Sequence, residues 1–221
     1  MAPFLMATPE PEPEPSLQEE IRSGASTLDF TQFDTTAQVA PTLKFSRPDV
    51  LARFQLSPKE FIRQGKPKTD CLVAATVVSH GDKILLVQRS EHDFGGLCWE
   101  VPGGSCDDDD LSIMAAACRE LWEEAGLRAT VVVDFIDDVH LPSTDGLIWR
   151  KMTFLVDVDR IGSHEPSVKL DPEEHQAFVW ATEQDLLANR HGDITLTWMS
   201  EDQRQTILKA FTMLKRPNVK I

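Results

Sequence analysis

The sequence predicts a mixed α/β domain over residues 68–215. Two observations predict it. Short apolar runs of strand length recur between turn signals, and two helix-length segments with one-sided apolar periodicity lie among and after them. In chain order, residues 71–78 (CLVAATVV) form a buried strand, His80-Gly81-Asp82 a turn and residues 84–87 a second strand, so the pair reads as a hairpin. A loop at Phe94-Gly95-Gly96 leads to a short strand at residues 99–101, with Trp99 in the core, ending on Pro102-Gly103-Gly104. Ile113–Ala125 reads as a helix with an apolar stripe on one side and acids on the other, and Gly126 stands where a C-cap belongs. Residues 131–136, Trp149–Val158 and 178–180 are strands, 182–188 is a helix, and a terminal helix runs to residue 214 with Ser200 as its N-cap. Residues 216–221 are a tail.

Before residue 68 the composition is different. Residues 1–20 alternate Pro9, Pro11, Pro13 and Pro15 with Glu10, Glu12 and Glu14, which leaves nothing to bury and charges that repel, so this acidic, Pro-rich tail is expected to be disordered. Residues 21–67 are an N-terminal extension, partly helical. Leu43-Lys44-Phe45 reads as extended, Ser57-Pro58 as an N-cap followed by proline at the first helical position, and Pro67 as a stop.

The chain carries a formal net charge of -14 and has a pI near 4.8. With no dense Lys/Arg run, such a surface repels nucleic acid and anionic membranes, so neither is expected as a partner. An anionic substrate would need positive charge supplied within the site, and a divalent cation supplies it economically. Cys71, Cys98, Cys106 and Cys118 form no C-x-x-C pair and no zinc-spaced cluster, which fits reduced thiols. No apolar run reaches the roughly 18 residues of a membrane helix. The opening MAPFLMA lacks a basic n-region, so no signal peptide is expected and a cytoplasmic location is.

The informative stretch is WEVPGGSCDDDDLSIMAAACRELWEEAGL, residues 99–127. Glu120, Glu123 and Glu124 stand at i, i+3 and i+4, which sets three carboxylates within one helical turn. Such crowding costs a few tenths of a kcal/mol per like-charged pair. A cation over that face removes the cost, and Mg²⁺ takes hard oxygen ligands of this kind. An acidic helix face can also simply be solvated. The context argues for the cation: Pro102-Gly103-Gly104 permits close backbone approach, and Arg119 can hold a carboxylate by a two-pronged bond.

Gly104 … Arg119-Glu120-Leu121-x-Glu123-Glu124-x-Gly126-Leu127, led in by Trp99-Glu100-Val101-Pro102-Gly103-Gly104, resembles the signature box of the Nudix hydrolases. The resemblance implies the Nudix fold, a mixed β-sheet sandwiched between helices. It implies a pyrophosphohydrolase that uses Mg²⁺, with Mn²⁺ as the alternative, to cut a diphosphate bond in a nucleoside diphosphate linked to another moiety. It further implies that Glu120, Glu123 and Glu124 bind the metal, that Arg119 orients them, and that a homodimer is a frequent state. The front of the box departs from the family. The pattern expects Gly, five residues, Glu, seven residues and Arg-Glu, whereas here the spacing fits one extra residue within 105–112, with Asp110 as a shorter substitute for the Glu. Asp107–Asp110 can also be read as acids attracted to a helix N-terminus, Asp110 near the cap.

Several residues outside the box have two readings each. In Asp171-Pro172-Glu173-Glu174-His175, Glu174 is a candidate general base or further metal ligand, or part of an exposed acidic loop. Arg89, with Gly103 and Gly104, is a candidate for substrate binding, or Arg89 is a surface residue. His140 and Pro142 are placed in a loop, where Pro142 weakly resembles the marker of ADP-ribose-cleaving members. The chain has no Tyr, which argues against the dinucleoside-polyphosphate subgroup, and only Leu85-Leu86-Val87-Gln88-Arg89-Ser90 echoes a coenzyme A signature. Two other functions share the fold: a catalytically inactive nucleotide-binding or regulatory module, motivated by the irregular front half, and isopentenyl-diphosphate isomerase, whose cysteine motif is absent.

Overall fold

The structure, a computed structural model, describes residues 44–46, 48–141, 143, 146–160 and 162–216. The proposed tail at 1–20, Leu43, Pro142 and most of the final tail lie outside these residues. In chain order the elements are β1 (Lys44–Phe45), α1 (Pro48–Leu51, running on into a 3-10 turn at Ala52–Gln55), α2 (Pro58–Gln64), β2 (Cys71–His80), β3 (Lys83–Arg89), β4 (Trp99–Glu100), β5 (Gly103–Ser105), α3 (Ile113–Ala125), β6 (Ala129–Leu141), β7 (Trp149–Val158), β8 (His175–Thr182), α4 (Glu183–Ala188), β9 (Arg190–His191), β10 (Ile194–Thr195) and α5 (Glu201–Leu214).

The sheet follows the order β1-β6-β7-β2-β3-β4, with β5 paired to β2 and β8 paired to β3. The central strand β2 runs parallel to β7 from Cys71 to Val78, antiparallel to β5 at Val73–Ala75, and turns at Gly81 into β3. Its side chains alternate between two cores. Leu72, Ala74 and Val78 join one core with Ile113, Ala117 and Leu121 of α3; Ala75 and Val77 join the other with Ile207, Ala210 and Phe211 of α5. Burial on both faces explains why β2 reads as an unbroken apolar run rather than an alternation. The sheet is thus mixed and lies between helices.

Local signals explain the helix ends. Ser57 caps α2, its Oγ accepting from the Glu60 N–H, with Pro58 next. Thr182 and Asp185 form a reciprocal capping box on α4, and Ser200 caps α5. One sequence expectation falls short. The strand expected at 131–136 extends over Ala129–Leu141, so His140 belongs to β6 and not to a loop; its ring meets the Arg150 guanidinium. Register shifts near Val131, Asp134 and Asp137 break the two-residue alternation, which is why the sequence shows only its middle. The extension also does more than its lack of motif suggests. Leu51 and Phe54 are fully buried in the core beneath α3, and Phe54 stacks on Phe135 at 4.5 Å.

Candidate active site

The helix α3 is fixed at both ends. Ser112 Oγ accepts from the Ala115 N–H, and Gly126 adopts the left-handed conformation that closes it. Ser112, not Asp110, is therefore the cap. Ile113, Ala117 and Leu121 face the core, which turns Glu120 and Glu124 against the β4–β5 connection. Both are almost wholly buried, and only Glu123 of the three faces outward. The sequence places the acids opposite the buried stripe, but the glycine pair of β5 makes room to bury two of them. A Cβ on Gly103 would stand 2.4 Å from Ala75 Cα, and one on Gly104 would stand 2.5 Å from Glu120 Oε2. The Gly103 N–H donates to Glu124 Oε2 at 2.7 Å. Burial pushes the Glu120 carboxyl up to about 7 against the pull of Arg119, and the Glu124 carboxyl up to about 7 against the pull of His175.

Arg119 joins the irregular front of the box to its regular end. Its Nε and Nη2 donate to the two oxygens of Asp110 at 3.1 and 3.0 Å, Nη2 donates to the Ser105 carbonyl, and Nη1 donates to Glu123 at 2.8 Å and lies 2.8 Å from Glu120. The Asp110 carboxylate is itself buried and accepts from the Asp107 N–H. The shorter acid thus reaches Arg119 from the longer loop in a bidentate geometry. Asp110→Ala is expected to lower turnover about tenfold or more by freeing Arg119, read from steady-state kinetics; unchanged turnover would remove Asp110 from the site.

The loop before β8 is pinned from two sides by main-chain bonds. The Asp171 N–H donates to the Glu124 carbonyl, and the Ser90 N–H donates to the Glu174 carbonyl. This brings the exposed Glu174 and buried His175 beside Glu124, with a donor atom of each within 4.8 Å of the others.

Behind them lies a charged network that the sequence reading missed. Glu100, buried on β4, accepts from Arg89 and from Lys151 Nζ at 3.1 Å. Burial opposes its ionisation, but Lys151, His175 and Arg89 together outweigh that and hold the carboxyl well below the usual range. Arg89 is not a surface residue: its guanidinium also meets Asp93 and donates to the Phe94 carbonyl. Lys151 carried a legible signal, a lysine inside the apolar strand Trp149–Val158, since such charges are buried only with a partner. A cleft of about 480 Å³ opens beside this network. Its lining includes Arg89, Glu100, Lys151, Gly103 and Gly104, and also Phe94, Leu141, Trp149, Met199 and Gln203.

Comparison with known proteins identifies what the chain is similar to. The family model for the NUDIX domain matches residues 71–200. The CTP pyrophosphohydrolase of Escherichia coli (strain K12) is 34% identical over 118 residues, 52% of this chain and 78% of that protein. The uncharacterized Nudix hydrolase NudL of Escherichia coli O1:K1 / APEC is 28% identical over 164 residues, 69% of this chain and 82% of that protein. Among solved structures, the NUDIX domain of Shewanella oneidensis NrtR, crystallised with ADP ribose, is similar in fold, with a TM-score of 0.50 and 22% identity over 72% of this chain and 100% of that one.

Proposed function

The chain belongs to the Nudix hydrolase family, and we propose that it uses a divalent cation to hydrolyse the diphosphate bond of a nucleoside diphosphate linked to another moiety. One observation carries this reading: Glu120 and Glu124 are buried against the Gly103-Gly104 backbone at the edge of the cleft, and Glu123 stands exposed beside Arg119 one turn along the same helix face. Their donor set is all carboxylate oxygen, which fits Mg²⁺. When bound, such an ion neutralises diphosphate oxygens and acidifies the attacking water. Arg119 holds Glu120 and Glu123 in place, and its grip on Asp110 favours catalysis over a module that only binds. Glu174, set beside Glu124, serves as proton acceptor or as a further ligand to the cation. Arg89 and Lys151 line the cleft as candidates to meet phosphates, and Phe94 and Trp149 line it as aromatic candidates to meet a base.

The test is product release with and without Mg²⁺ over a panel that includes CTP, ADP-ribose, NADH and coenzyme A. Magnesium-dependent turnover of a member is the expected result, and the member turned over names the moiety. A pure protein inert on the whole panel overturns the reading.

A pH effect follows from the buried carboxyls. A carboxyl raised to about 7 in the fold favours its protonated form there, so its stabilising effect is complete below the unfolded value near 4.5 and is lost as pH rises through about 7. A divalent cation replaces those protons. The rise in melting temperature produced by Mg²⁺ is therefore expected to be larger at pH 8 than at pH 6. Equal shifts at both pH values would place the cation away from Glu120 and Glu124.

A further inference from the structure

His175 opens β8 opposite Arg89 of β3 and is 2% exposed, yet neither of its ring nitrogens has a hydrogen-bond partner among the described residues. Glu100 stands 3.9 Å from Nε2, within ion-pair range but beyond hydrogen-bond reach. A buried polar group left without a hydrogen bond costs about 1–3 kcal/mol, and the contact with Glu100 reaches Nε2 only, so an imidazole kept in this position points to a further ligand. The ring lies against the carboxylates already described. One donor atom each from His175, Glu124 and Glu174 fall within 4.8 Å of one another. Around an octahedral ion with bonds of about 2.1 Å, neighbouring donors stand about 3 Å apart and opposite donors about 4.2 Å. The group therefore needs to contract by only about half an ångström at its widest to close on one ion.

The donors are aimed before any ion arrives. Glu124 is fixed by the Gly103 N–H, and residues 171–175 are held by the Asp171 and Ser90 main-chain bonds and by the His175 N–H donating to the Asp171 carbonyl. We infer that His175 contributes a nitrogen ligand to a divalent cation shared with Glu124 and Glu174, and that this nitrogen biases the site toward Mn²⁺ and related first-row metals over Mg²⁺. The inference rests on the cation-dependent reading above and adds to it a donor that an all-carboxylate site lacks. The chemistry of the donors sets the direction. Mg²⁺ takes oxygen ligands and sheds water reluctantly, whereas imidazole suits the first-row transition metals. One oxygen of Glu174 on the ion leaves its second oxygen to accept a proton.

Pulsed electron paramagnetic resonance on the full-length protein loaded with Mn²⁺ alone reads the ligand directly, without turnover. The expected spectrum carries the nitrogen modulation of a directly bound imidazole, and protein made with ¹⁵N-histidine shows the ¹⁵N pattern in its place. His175→Gln is expected to lose the modulation and to weaken Mn²⁺ binding by about tenfold or more, with less effect on Mg²⁺, both measured by calorimetry. Should His175→Gln fail to fold, the labelled wild-type protein still decides, and the exposed Glu174→Gln, which is expected to weaken Mn²⁺ binding and keep the nitrogen signal, provides a second variant. A Mn²⁺ spectrum with no nitrogen coupling overturns the inference, as does coupling that survives in folded His175→Gln. Neither outcome touches the hydrolase reading, which stands or falls on turnover of the nucleotide panel.

Discussion

Glu123→Gln is expected to lower turnover by about two to three orders of magnitude while shifting the melting temperature by less than about 3 °C. Two features separate these effects. Glu123 is the outward-facing member of the three box acids, about half exposed, and among the described residues it pairs with Arg119 at 2.8 Å. An exposed ion pair of this kind contributes little to stability. The amide keeps the shape and can still lie beside Arg119, but it removes the negative charge a cation needs. Turnover with saturating Mg²⁺ and thermal unfolding of the same preparation check the prediction together. Full activity in Glu123→Gln would remove that residue from the catalytic set, whereas a collapse of the melting temperature would show it to be structural.

Phe54→Ala is expected to destabilise the protein by about 3–5 kcal/mol, which for a chain of this size lowers the melting temperature by roughly 10 °C. Phe54 is fully buried, stacks on Phe135 at 4.5 Å and meets Phe154 edge-on at 5.0 Å. It comes from the extension, yet it fills the core under α3, so its loss leaves a cavity beneath the helix that carries Glu120 and Glu124. Thermal unfolding measures the effect, and a change below about 2 °C would show that the extension can leave without cost.

The two mutations also show how much could be read from residues alone. The box acids were legible because their chemistry depends on spacing along one helix, and local order fixes that spacing. The bounds of α3 and β7 were legible for a similar reason: a one-sided apolar stripe and a C-terminal glycine mark the helix, and a largely apolar run marks the strand. Phe54 was not, since one phenylalanine in a short 3-10 turn has no periodicity to announce where it packs. Neither was the partnership of Glu100, Lys151 and His175. These residues come from β4, β7 and β8, with Glu100 and Lys151 51 positions apart, and only sheet pairing brings them together. The burial of Glu120 and Glu124 escaped notice because it depends on an empty volume at Gly103 and Gly104, which only contact with β2 makes significant. Asp110 was legible as a substitute for the missing Glu, although its bidentate hold on Arg119 needed the loop's path to be known.

The main-chain bonds that pin residues 171–174 have a consequence for how such a chain can change over time. Glu174 is indexed to the helix through the Glu124 carbonyl and to the sheet through the Ser90 amide, neither of which depends on the identity of a side chain. Substitutions at Phe94, Leu141, Met199 or Gln203 alter the lining of the cleft without passing through those bonds. The acids of the helix and the lining of the cleft are therefore fixed by separate parts of the chain, so the lining can be substituted while the acids stay where they are.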